Sequence, residues 1–148
     1  MAEGLTSIHG RKLAIAKTAN LTANGIDITQ PCADASITVG AEDTNVRAIT
    51  IQLKDANGAD IAYHEMVDIF VLAEAKGNGF VTTGGSTGIE IGTDGALLTV
   101  VAKKYFVAIS EADGDIDLTW TDTGTEEAYL AVRLPNGRLV ISAAMTNT

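Results

Sequence analysis

Short apolar runs recur along this chain at near-regular intervals, each closed by residues that reverse a backbone, and this alternation restricts the fold more than any other feature. The runs are Val46 to Lys54, Val67 to Leu72, Phe80 to Thr83, Leu97 to Val101, Tyr105 to Ile109, Ile116 to Thr121, Tyr129 to Leu134 and Leu139 to Ala144. Between them stand Asn57-Gly58, Asn78-Gly79, Gly84-Gly85, Gly92 to Gly95, Asp113-Gly114 and Asn136-Gly137. Such residues supply positive φ or short side-chain-to-backbone bonds where a strand must turn. Strands of this length, spaced this way over about 100 residues, predict an all-β fold: an immunoglobulin-like antiparallel β-sandwich.

The runs carry the two-residue period of half-buried strands. Ile49, Ile51 and Leu53 share one face, as do Val67, Ile69 and Val71, and Ile116, Leu118 and Trp120, so these nine positions are the expected core. Trp120, central on its apolar face, reads as core and not as a ligand platform. The run at Val67 departs from clean alternation, because Met66, Phe70 and Leu72 flank Asp68 on the opposite side. That strand is expected to meet a second surface. The last two runs, joined through Pro135, Asn136 and Gly137, read as a hairpin closed by a tight primed turn.

Residues 1–45 read as an extended arm with one or two short strands, and residues 46–148 as the sandwich. The arm is poor in apolar residues, although Ser7 to Ile15 has a short alternation and Thr18 to Gly25 can turn into Ile26 to Ile28. A segment that buries little surface by itself gains order on a partner. Charge divides the same way. The net charge is −9, yet Arg11, Lys12 and Lys17 outweigh Glu3 in the first twenty residues. An acidic body repels phosphate backbones, which argues against nucleic-acid binding.

No apolar run reaches the roughly eighteen residues of a membrane span, and the opening residues lack the apolar stretch of a signal peptide. Cys32 is the single cysteine, so the sandwich must stand on packing without an internal disulfide.

Several motifs suggest chemistry and then fall short of it. Asp113, Asp115 and Asp117 alternate as in a calcium loop, but Leu118 and Gly124 stand where that loop needs its glycine and its bidentate glutamate. A hairpin turn is the expected reading. Gly84, Gly85 and Gly88 suggest a phosphate loop, yet no Gly-Lys-Ser or Gly-Lys-Thr follows and no helix opens there, leaving a flexible inter-strand loop as the expectation. His9 and His64 have no partners at zinc-ligand spacing. Ser, His and Asp occur without a nucleophile elbow, and Cys32 with His64 does not define a thiol protease. No catalytic residue, cofactor or metal is expected, and the chain reads as a non-enzyme.

The stretches Ile49 to Gly58, Val67 to Val71, Gly92 to Gly95, Ile116 to Gly124 and Leu134 to Leu139 resemble the Ig-like domains of bacteria and phages, above all small phage proteins that decorate heads. Openings like Ser7 to Arg11 accompany them. The resemblance implies a virion protein, made in the host cytoplasm, that binds the major capsid protein on the outer surface of the assembled capsid and cements it, with a trimer on the shell as one arrangement. It also implies that Ile8, His9, Arg11, Lys12, Leu13 and Ile15 form the capsid-binding arm, the alternative being a solvated charge pair at Arg11-Lys12. The second functional reading is a tail- or fibre-associated Ig-like module that binds host-surface carbohydrate. Fold resemblance specifies architecture better than function.

Overall fold

The structure is a computed structural model that describes residues 31–148 together with the strand pair Thr22–Ala23 and Ile26–Asp27. The chain divides into two units, 1–30 and 31–148. In the first, strands β1 (Thr22–Ala23) and β2 (Ile26–Asp27) pair antiparallel, Thr22 opposite Asp27 and Ala23 opposite Ile26.

The second unit contains strands β3 (Cys32–Asp43), β4 (Val46–Asp55), β5 (Met66–Leu72), β6 (Gly88–Ile91), β7 (Ala96–Val101), β8 (Tyr105–Ile109), β9 (Asp115–Thr121), β10 (Tyr129–Arg133) and β11 (Leu139–Ala144). They form two antiparallel sheets, ordered β3-β4-β9-β6 and β11-β10-β5-β8-β7. The neighbours match an immunoglobulin-like sandwich: β3-β4-β9-β6 stand as strands A-B-E-D, β11-β10-β5 as G-F-C, and β8 and β7 extend the second sheet as C′ and C″. The order of visits differs, because the chain makes its D-like strand β6 before β7 and β8, and the outer β7 before the inner β8.

The core lies where the alternation places it. Ile49, Ile51 and Leu53 of β4 and Ile116, Leu118 and Trp120 of β9 meet Val67, Ile69 and Val71 of β5, all essentially inaccessible to water. Each such side chain contributes about 1.5–3 kcal/mol by leaving water. Phe106, Leu130 and Val132 complete the opposing layer.

Three expectations need correction. The arm expected over 1–45 ends earlier, because Cys32–Asp43 is a strand of the sandwich paired along β4 from Cys32↔Asp55 to Asp43↔Val46. Two register shifts, at Cys32/Asp34 and Val39/Glu42, together with polar Asp34, Ser36 and Thr38, blur its period. Its turn is also atypical, with Thr44 and Asn45 both at positive φ (50° and 67°) and no glycine. The run Phe80 to Thr83 is not a strand; only Phe80 bridges to Leu72, and the fourth edge is supplied by β6 instead. The final hairpin closes by a three-residue loop. Gly137 donates its amide to Leu134 O at 2.8 Å and is at φ 84°, while Asn136 is not at positive φ. Pro135, with φ fixed near −65°, selects a type I turn followed by a left-handed glycine over a primed turn.

Candidate functional site

The two outward faces of the sandwich differ sharply in chemistry. On the four-stranded sheet the outward positions of β4 and β9 include Thr50, Gln52, Lys54, Asp115, Asp117 and Thr119, with Glu90 of β6 beside Thr119. Thr50 donates its hydroxyl to Asp117 at 3.0 Å. This is an ordinary solvated face.

The five-stranded sheet is apolar outside as well as inside. Its register aligns Ala96, Ile109 and Met66 in one cross-strand row. The next row is Leu98, Val107, Asp68, Arg133 and Leu139, and the third is Val101, Tyr105, Phe70, Ala131 and Ile141. Met66 is 61% exposed, Leu98 66%, Ile109 46% and Leu139 41%. Of the chain's 19 acidic side chains only Asp68 lies on these five strands, and of its 10 basic ones only Arg133.

These two charges neutralise each other. Arg133 donates from Nε and Nη2 to Asp68 Oδ2 at 3.0 and 2.6 Å, and the Tyr105 hydroxyl donates to Oδ1 at 2.7 Å. Burial pushes the Asp68 carboxyl upward, but the bonds from Tyr105 and Arg133 outweigh it and hold the group below the usual carboxylate range. The Phe70 ring stacks on Tyr105 at 4.9 Å, meets Phe80 at 6.2 Å and lies 5.6 Å from the Arg133 guanidinium. A groove of about 260 Å³ between Phe70, Leu72, Phe80 and Leu139 opens onto this platform. Met66, Phe70 and Leu72 around Asp68 were the sequence signal for it. The adjacent pairs Leu97-Leu98 and Val100-Val101, apolar on both faces of one strand, are a second signal, visible only when the strand is considered with both of its faces covered.

The glycine-rich loop is a nest for a carboxylate, and the chain itself provides that carboxylate. Glu126 Oε1 accepts the amides of Thr82 and Thr83 at 3.0 Å, and Oε2 accepts those of Gly84 and Gly85 at 2.9 and 3.2 Å plus the Thr83 hydroxyl. Burial pushes this group upward, but the Thr83 hydroxyl and the amides of Thr83, Gly85 and Gly84 prevail, bringing its pKa down to about 2. From the other side Lys103 Nζ donates to Gly85 O at 3.0 Å and Ser86 O at 2.6 Å. Asp122 Oδ1 accepts the amide of Ser86 at 3.1 Å. The loop expected to be slack is thus bonded along its length. Gly84 sits at φ 79°, where a Cβ would fall 2.5 Å from Lys103 O.

The remaining motifs resolve into local structure. Asp113 begins a turn, its Oδ1 accepting Asp115 N at 3.3 Å, and Asp115 and Asp117 follow on the outward face of β9. Asp60, Asp94, Glu111 and Asp113 border a hollow at that end, but among the described residues no group of three His, Cys, Asp or Glu side chains could hold a metal ion. His64 Nδ1 lies 2.6 Å from the Ser110 carbonyl, which can only accept, so Nδ1 carries the proton. Cys32 is buried; desolvation, then the charge of Glu65, pushes its thiol up to about 11. The expected arm residues Ile8, His9, Arg11, Lys12, Leu13 and Ile15 lie outside the described residues.

Fold and surface together define an all-β sandwich with one acidic, solvated outer face and one neutral, apolar face. No protein-family model matches the chain, and no curated protein or solved structure matches it either.

Proposed function

We propose that this protein is a structural virion component that binds the major capsid protein on the outside of an assembled phage shell and cements it. The observation that carries this reading is the neutral, aromatic-rich outer face of the five-stranded sheet on an otherwise acidic domain. Contiguous exposed apolar surface of this kind serves protein contact. Laid on the shell, the sheet buries Met66, Leu98, Ile109 and Leu139 and turns the acidic four-stranded face outward. Bridging neighbouring subunits adds contact that must break before they separate. The basic arm, with Ile8, His9, Arg11, Lys12, Leu13 and Ile15, supplies a second grip, and a symmetric lattice makes the attachment multivalent.

A second reading, a tail or fibre module for host-surface carbohydrate, draws on the Phe70, Phe80 and Tyr105 platform, whose apolar rings and polar edge suit a sugar. Co-sedimentation with undecorated capsids separates the two. The decoration role expects hundreds of copies per particle, reduced by deleting residues 1–20 while the sandwich still melts cooperatively. A handful of copies per virion, with no binding to undecorated shells, would refute it.

A further inference from the structure

The sandwich has two open sides, and they are finished differently. On one, β3 is tied across the sheets to the turn that leads into β11: Asn136 Nδ2 donates to Ala33 O at 3.1 Å, and Arg138 pairs with Asp34 at 2.9 Å. The other side is bordered by β6 and β7. Strand β6 is four residues long and bears Glu90, a short, charged edge of the kind that resists pairing. Strand β7 is different. Its sequence Ala96, Leu97, Leu98, Thr99, Val100, Val101 has high β propensity and no charge or proline, and among the described residues no strand pairs with its free edge. Its bulge falls between Thr99 and Val101, leaving Ala96–Thr99 in regular register with β8.

We propose that β7 is the seam through which two copies of this chain join, β7 to β7 and antiparallel about a two-fold axis. Two observations select a second copy as the occupant. The first is charge: the domain is acidic, so copies repel through most of their surface, but β7 and its neighbour β8 carry no charged side chain and Asp68 behind them is paired with Arg133. The second is the charge at the two ends of the strand: Asp94 stands just before β7 and Lys103 and Lys104 just after it, so antiparallel self-pairing about a two-fold axis brings the acidic end of one copy beside the basic end of the other. Such pairing also continues the apolar face of the sheet across the axis. The pairing deepens the docking role proposed for the apolar face, yet it is measurable without any shell.

The test is sedimentation equilibrium of the full chain with hydrogen exchange on the same samples. The expected mass is twice 15.3 kDa, with the β7 amides that β8 leaves unpaired becoming protected as concentration rises. Leu98→Lys, an edge charge at an already exposed position, is expected to be monomeric with an unchanged melt. Met66→Asp, on β5 and away from the seam, is expected to remain dimeric while losing shell binding, so failure of the seam and failure of the docking face are separable. A wild-type monomer at the highest attainable concentration overturns the proposal. So does a dimer whose β7 amides stay unprotected, which would pair by faces, and so does protection of β7 that arises only when shells are added, which would assign the edge to a foreign strand.

Discussion

Glu126 accepts the backbone amide of Gly84 at 2.9 Å, one of five donors that its carboxylate gathers from residues 82–85. The bond links the segment before β10 to the loop before β6 and occupies the amides that a bound phosphate would otherwise use. Because the folded-state pKa, about 2, lies below the ordinary 4.5, the stability it contributes is present above about pH 4.5 and lost as pH falls toward 2. Glu126→Gln turns a donor group toward amides that are themselves donors. It should cost about 1–3 kcal/mol at neutral pH and flatten the fall in stability between pH 4.5 and 2, read from chemical denaturation at each pH.

Trp120 fills the centre of the core with no accessible surface, and its indole Nε1 is buried without a hydrogen-bond partner. Trp120→Ala should lose about 3–5 kcal/mol through the cavity it leaves. Trp120→Phe should lose clearly less, because removing the unpartnered N–H relieves a desolvation cost that offsets part of the lost packing. Calorimetry of the two variants checks the order, and equal losses would show that the N–H is not a burden.

Cys32 opens β3 with its thiol in the core and its pKa pushed up to about 11, so at neutral pH it stays protonated. A thiol reagent should label it only at the rate of unfolding. Reductant should leave the melting temperature unchanged, since the chain has one cysteine and no internal disulfide to break. Rapid labelling of the native protein would place β3 away from the core.

The parts of this fold that sequence revealed are those in which one face alone is buried. Ile49, Ile51 and Leu53, and Ile116, Leu118 and Trp120, alternate cleanly because their partners on the strand face water. β3 is hidden within the arm because Ala35, Ile37 and Val39 are few among Asp, Ser and Thr, and β6 escapes the run of predicted strands because Ile89 is its one buried large side chain. The apolar outer face was half visible at Met66, Phe70 and Leu72. Its extent depends on which strands lie side by side, and β5, β7, β8, β10 and β11 come together only through long-range pairing. The anchoring of the glycine loop by Glu126, more than forty positions downstream of Thr83, has no local signature at all.

The apolar outer face of the five-stranded sheet as the docking surface is tested most directly by placing one charge on each face in turn and measuring binding to undecorated capsids by co-sedimentation. Met66→Asp lies on the apolar face and Thr119→Asp on the solvated one, and both positions are outward, so both variants should fold with melts close to wild type. The expected result is that Met66→Asp loses at least tenfold in affinity while Thr119→Asp binds as wild type does. Equal binding by the two, or a loss confined to Thr119→Asp, would contradict docking through this face.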